Sequence, residues 1–185
     1  MSIAIFLNID GVIHSSSRYD YPDMVAELYD TCVMSGEQFG RKCDEMAVKS
    51  FDESSVSRLD TLISQIQERS HVPIIVLSSG WRTKGDIQHL VSLFKQWNFS
   101  RYLVDKIDDE SGKVEGILKW LDVNRESRDV RASIVLDDDD FREKLAPDSC
   151  NHHIHYVECD YRKMFAEDRL VDAVQFLDTL QIQQQ

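Results

Sequence analysis

Short runs of apolar β-forming residues alternate along this chain with stretches whose apolar positions recur at helical spacing, and this alternation constrains the fold more than any other feature. Ile3-Ala4-Ile5-Phe6-Leu7, the run from Val72 to Leu77, and Ser133-Ile134-Val135-Leu136 are continuous apolar segments of the kind buried on both faces of a sheet. His153 to Val157 is a weaker fourth run, and Tyr102-Leu103-Val104 reads as a short edge strand. Between them, Ser54 to Arg69 sets Val56, Leu59, Leu62, Ile63 and Ile66 on one helical face. Asp86 to Trp97, Lys113 to Val123 and Asp168 to Leu180 repeat the pattern. Strand and helix in alternation predict parallel pairing, because each strand must return to the same edge by a crossover. The expected fold class is therefore α/β: a three-layer, doubly wound parallel sheet with helices on both faces.

A chain of 185 residues fits one domain, expected over 1–182, with the glutamines 183–185 as a frayed tail. No apolar run approaches the roughly 20 residues of a membrane span, and the first residues lack the basic flank of a signal peptide. A cytoplasmic, reducing compartment is expected, with the scattered Cys32, Cys43, Cys150 and Cys159 as free thiols. The net charge of −12 opposes generic nucleic-acid binding, which needs clustered Lys and Arg, but leaves room for a small basic pocket around one phosphate. A monomer is expected. Residues 14–52 break the rhythm with a serine run, Tyr19, Tyr21, Pro22, a short helix expected from Asp23 to Met34, and polar loop. An insert of this length after the first strand reads as a small cap or flap over the carboxyl edge of the sheet.

Polar clusters follow three of the buried strands: Asn8-Ile9-Asp10-Gly11-Val12, Ser78-Ser79-Gly80-Trp81-Arg82 and Asp137-Asp138. In a doubly wound sheet these strand ends converge on one crevice. Acidic groups at buried strand ends are costly unless paired or bound to a cation, and oxygen ligands beside a phosphate site suit magnesium.

These clusters carry a resemblance. Phe6-Leu7-Asn8-Ile9-Asp10-Gly11-Val12-Ile13 resembles the first motif of the haloacid-dehalogenase (HAD) superfamily, hhhhDxDGV, with its first aspartate replaced by Asn8. Val76-Leu77-Ser78-Ser79-Gly80-Trp81-Arg82 resembles the second motif in the form found in small HAD domains, including those of RNA-repair proteins. Lys113 stands where the third motif's lysine is expected; it is preferred over Lys106 and Lys119 because it alone opens a helix after a loop. Ile134-Val135-Leu136-Asp137-Asp138 resembles the fourth motif. Four motifs in order, each at a strand end or helix start, make a specific pattern.

The resemblance implies a magnesium-dependent phosphomonoesterase. Residue 8 would be the nucleophile, forming an aspartyl-phosphate, and Asp10 the general acid and base. Ser78, Ser79, Gly80 and Arg82 would hold phosphoryl oxygens, with Arg82 equally able to pair with local acids. Lys113 would neutralise charge on the phosphate. Magnesium would take the side-chain oxygen of residue 8, the Asp10 carbonyl and Asp138, with Asp137 behind it. Asp139 and Asp140 read as solvated residues. A phosphoprotein, phosphotyrosine included, is the first substrate expectation; a nucleic-acid end is the second, set against the −12 charge; a small metabolite is the third. Tyr19 and Tyr21 could stack on an aromatic substrate from the insert.

Asn8 complicates this reading. A carboxamide is neutral and a very poor nucleophile, so turnover should fall by several orders of magnitude while phosphate binding is spared one negative charge. An engineered change, a natural phosphate-binding pseudoenzyme and a natural enzyme using another group all remain open. Cys150, His152, His153, His155 and Cys159 have zinc-ligand side chains, but their spacing matches no standard site and alternate strand residues diverge.

Overall fold

The computed structural model describes residues 1–15, 36–108, 110–145 and 152–182. The expected helix from Asp23 to Met34, Tyr19, Tyr21, Cys32, Cys150 and the glutamine tail lie outside these. Five strands, β1 (Ser2–Leu7), β2 (Val72–Leu77), β3 (Leu103–Lys106), β4 (Val130–Asp137) and β5 (Ile154–Glu158), form one sheet in the order β3-β2-β1-β4-β5. Every pairing is parallel. The described helices are α1 (Gly36–Lys49), α2 (Glu53–Glu68), α3 (Ile87–Leu93), α4 (Lys113–Asn124) and α5 (Glu167–Ile182).

The sheet is a three-layer core because the β1 side chains alternate across it. Ile3, Ile5 and Leu7 join the apolar faces of α2, α3 and α5, while Ala4 and Phe6 join Ile117, Trp120 and Leu121 of α4 on the other face. All five are wholly buried. Phe6 meets Trp120 edge to face at 5.5 Å, the arrangement favoured by the ring quadrupole. The Trp120 indole N–H donates to Asp105 at 2.9 Å, so the large ring is buried without stranding its polar group.

Two elements differ from the sequence expectation. Residues 36–49 form a helix where polar loop is expected. Among the described side chains of α1, from residue 40 on, Ala47 and Val48 are the buried apolar ones. The helix is held from outside, since the Val48 carbonyl accepts the Trp97 indole N–H at 3.0 Å and the Gln96 amide at 3.1 Å. Helix α3 ends at Leu93 rather than running to Trp97. It starts where Asp86 accepts the His89 N–H at 2.8 Å, and the chain then turns so that Trp97 can reach α1.

Both ends of the insert sit at one neck. The Asp52 N–H donates to the Ile13 carbonyl at 2.8 Å, so the chain returns to the turn from which it left. Phe51 seals that neck, stacked on Trp97 at 6.1 Å and meeting Trp81 at 5.6 Å.

Candidate active site

Backbone register brings the three polar clusters together. Leu7 pairs with Leu77 on one side and Leu136 on the other, so the residues that follow them are neighbours at the carboxyl edge. The Ser78 N–H donates to the Leu7 carbonyl and the Asn8 N–H to the Leu136 carbonyl, both at 3.0 Å. Asn8 directly follows the central strand, Ser78 and Asp137 flank it, and the chain departs to opposite sides from this point. That is the switch-point crevice at which open α/β sheets take ligands.

After Asn8 the chain makes a tight turn. The N–H groups of Ile13 and His14 both reach the Ile9 carbonyl at 3.0 Å, and Gly11 donates to the His14 carbonyl at 2.8 Å. Gly11 has φ +79°, a backbone region glycine enters freely. A Cβ there would stand 2.2 Å from Asp138 Oδ2, so the turn and Asp138 approach each other only because residue 11 has no side chain.

Asn8 is 5% exposed. Its Nδ2 donates to the Asp10 carbonyl and to Asp138 Oδ1, each at 2.7 Å. Asp10, 45% exposed at its side chain, is held on both oxygens: Oδ1 lies 2.9 Å from His14 Nδ1, and Oδ2 accepts the Trp81 indole N–H at 3.0 Å. His14 continues to Ser50 Oγ at 3.1 Å, which donates onward to the Ala47 carbonyl. Trp81 is itself buried against Phe51 and Phe94. His14 and Trp81 are thus Asp10-orienting residues that sequence reasoning missed. A histidine four residues after Asp10 in a tight turn was the available signal for the first; the indole N–H of a buried tryptophan, which needs an acceptor, was the signal for the second.

Lys113 opens α4 and reaches back to the crevice, with Nζ 2.9 Å from both Asp137 Oδ1 and Asp139 Oδ2. Its side chain is 17% exposed and Asp137 is fully buried. Burial pushes the Asp137 carboxyl up to about 6, against the pull of Lys113. Burial by itself would lower Lys113, but Asp137 and Asp139 outweigh it, and its pKa is raised. Among the described residues, Asp137 Oδ2 and the wholly buried Ser78 hydroxyl have no hydrogen-bond partner. Asp139, read from sequence as merely solvated, shares Lys113 instead.

The remaining candidates are placed as follows. The Ser79 hydroxyl caps the 3₁₀ turn Gly80–Lys84, accepting the Trp81 N–H at 3.4 Å, and Gly80 opens that turn. Arg82 donates to the carbonyls of Ser79, Ser78, Asp108 and Ser111, at 3.1 to 3.4 Å, and so ties two crevice loops together. Lys106 reaches the carbonyls of Arg82 and Gly85, and Lys119 pairs with Asp108 on the surface. Asp138 lies beside a depression of about 370 Å³ that Cys159, Asp160, Arg162 and Arg169 also line. His152 pairs with Asp122, and His155 pairs with Asp172 while stacking on Phe176, so their rings diverge. Among the described residues no group of three or more His, Cys, Asp or Glu side chains could hold a metal ion.

The cation that the resemblance implies would take oxygens from residue 8, the Asp10 carbonyl and Asp138. The Asp10 carbonyl and Asp138 Oδ1 supply two that converge on one point, but the third neighbour is an N–H donor, Asn8 Nδ2. The donor set as it stands does not fit a cation.

The five-stranded parallel sheet flanked by helices is a Rossmann-like α/β fold consistent with an HAD domain, and the family match gives it a phosphatase-type hydrolase scaffold. The chain belongs, more narrowly, to the family of HAD domains found in Swiss Army Knife RNA repair proteins, whose model matches residues 4–170. Searches of curated proteins and of solved structures found no match. The superfamily generally uses magnesium. No helix among the described residues is long and apolar enough to cross a membrane.

Proposed function

We propose that the crevice binds the phosphoryl group of a phosphomonoester, and that the chain with Asn8 holds this group far better than it turns it over. The observation that carries this reading is Asn8 itself, buried at the end of the central strand between Ser78 and Asp137. The unpartnered Ser78 hydroxyl is a donor available to a phosphoryl oxygen, and Lys113 supplies a positive charge one hydrogen bond from Asp137. An aspartate at position 8 would attack phosphorus, with Asp10 donating a proton to the leaving oxygen and then taking one from water. His14 and Trp81 fix the Asp10 carboxylate for that exchange. A neutral carboxamide, its nitrogen lone pair delocalised and both its N–H groups engaged, is too poor a nucleophile to make the first bond, so the covalent step fails while the binding groups persist.

Magnesium belongs to this reading only with an aspartate at position 8, where the Asp10 carbonyl and Asp138 would complete a set of oxygens. The test is Asn8→Asp, assayed for magnesium-dependent phosphate release from an aryl phosphate. Activity at least about a hundredfold above the Asn8 chain is expected, since nucleophile loss costs orders of magnitude. If neither exceeds an Asn8→Asp, Asp10→Ala control, the phosphatase reading is wrong.

Two ligand classes fit. A phosphoprotein is favoured by the −12 charge, which opposes generic nucleic-acid binding. A phosphorylated RNA end is favoured by the family description. A phosphotyrosine peptide and an end-phosphorylated oligoribonucleotide, compared for binding to the Asn8 chain, separate them: the class that binds and competes with inorganic phosphate is the ligand.

A further inference from the structure

We infer that the Asn8 carboxamide stands in for the divalent cation: its two N–H donors hold the Asp10 carbonyl and Asp138 where an ion would, so the crevice takes a phosphoryl group without one. The second half of this inference rests on the phosphoryl-binding reading above; the first half does not.

The argument is one of donor and acceptor count. A primary amide nitrogen has two hydrogens, and both are used here, on oxygens at 2.7 Å. Turning the amide over would set its oxygen against the same two acceptors, lone pair to lone pair, unless a cation lay between them. The orientation is therefore dictated by its neighbours. An aspartate at position 8 would face that repulsion in either orientation and would demand a cation or a proton. Asparagine removes the demand and one negative charge with it.

The other acids of the crevice have partners of their own. Asp10 is met by His14 and Trp81, and Asp137 and Asp139 by Lys113. Asp138 is the acid on which a cation would be needed, and Asn8 meets it. Asp138 is also pressed against Gly11, whose lack of a side chain lets the carboxylate come within reach of the amide. The arrangement is an electrostatic substitute of lower charge: two partial positive charges on N–H groups in place of a full divalent one.

Asn8 should then compete with a cation rather than help to bind it, and this separates a surrogate from a mere poor ligand. The probe is Mn2+, titrated by electron paramagnetic resonance into the Asn8 chain, Asn8→Ala and Asn8→Asp. A poor ligand replaced by alanine leaves binding equal or weaker. A surrogate replaced by alanine frees two oxygens, so Asn8→Ala should bind Mn2+ at least about threefold tighter than the Asn8 chain, and Asn8→Asp at least about tenfold tighter. Equal or weaker binding by a folded Asn8→Ala overturns the inference. Should that variant not fold, the Asn8 side-chain amide decides by 15N NMR, assigned by its loss in Asn8→Asp. A signal unmoved by Mg2+ at the concentration that saturates Asn8→Asp supports the surrogate, and one that shifts at that concentration overturns it.

Inorganic phosphate then tests the second half by calorimetry, in chelator and in Mg2+. The Asn8 chain should bind it with less than about a threefold difference between the two, whereas Asn8→Asp should gain at least about tenfold from Mg2+. Loss of phosphate binding by the Asn8 chain in chelator alone overturns the inference. Absence of phosphate binding in both conditions sinks the phosphoryl-site reading instead and, with it, the claim of ion-free binding, while the Mn2+ comparison still decides the role of the amide.

Discussion

Replacing Gly11 by alanine should damage the crevice more than its size suggests. The new Cβ would lie 2.2 Å from Asp138 Oδ2, 2.3 Å from its Cγ and 2.7 Å from its Cβ. Rotating the carboxylate relieves the first two contacts but not the third, because the Asp138 Cβ is fixed to the backbone. Carbon atoms pack at about 3.5 Å, so the turn and the end of β4 must separate by roughly 1 Å. Such a shift would stretch the 2.7 Å contact between Asn8 and Asp138 beyond hydrogen-bonding range. A left-handed backbone at φ +79° costs a non-glycine residue about 1 kcal/mol. A buried amide donor left without its acceptor costs about 1 to 3 kcal/mol more. The expected loss is about 2 to 4 kcal/mol of unfolding free energy, read by urea denaturation at matched m-value. Gly80→Ala is the control, since nothing lies within 4 Å of a Cβ there; it should stay within about 1 kcal/mol of neutral. A Gly11→Ala protein no less stable than Gly80→Ala would refute the reasoning.

Three further outcomes are expected. Because burial raises Asp137 from 3.8 to about 6, the folded chain holds its proton more tightly than the unfolded chain, so this group's contribution to stability falls as pH rises through that window. The unfolding free energy of the native chain minus that of Asp137→Asn should be flat below pH about 4 and drop by about 3 kcal/mol by pH about 6; a difference that grows with pH contradicts the burial argument. Lys113→Met leaves Asp137 buried without its cation and should cost about 3 kcal/mol at neutral pH, shrinking as the pH is lowered to about 6 and below; a loss independent of pH would place the cost in packing instead. Trp81→Phe keeps the ring among Phe51 and Phe94 but frees Asp10 Oδ2, so it should cost only about 1 kcal/mol of stability while lowering kcat in the Asn8→Asp background; an unchanged kcat would remove Trp81 from the positioning of Asp10.

The strands were legible because burial on both faces leaves a continuous apolar run: Val72 to Leu77 matches β2 residue for residue. The long helices were legible for a similar reason, as with Lys113, which opens α4 where its periodic stripe begins. Helix α1 was not, because among its described side chains only Ala47 and Val48 are buried apolar ones, and Trp97 and Gln96, far along the chain, help to hold it. Local pattern reports what a segment buries, not what a distant side chain lends it.

The site divides in the same way. Residue types and order in the four motifs pointed to a phosphatase-type domain, since a strand end carries its polar residues wherever the strand goes. They also exposed Asn8 as the residue out of place. Which group each one faces was decided only in three dimensions. Asn8 and Asp138 are distant in sequence and meet because β1 pairs with β4 and because Gly11 has no side chain to hold them apart. Arg82 ties loops together through backbone carbonyls that no sequence pattern marks, and Trp81, distant along the chain, reaches the Asp10 oxygen that His14 in the same turn leaves open. Hydrophobic periodicity is written along the chain, but a hydrogen bond depends on a few ångströms between side chains that the chain itself keeps far apart.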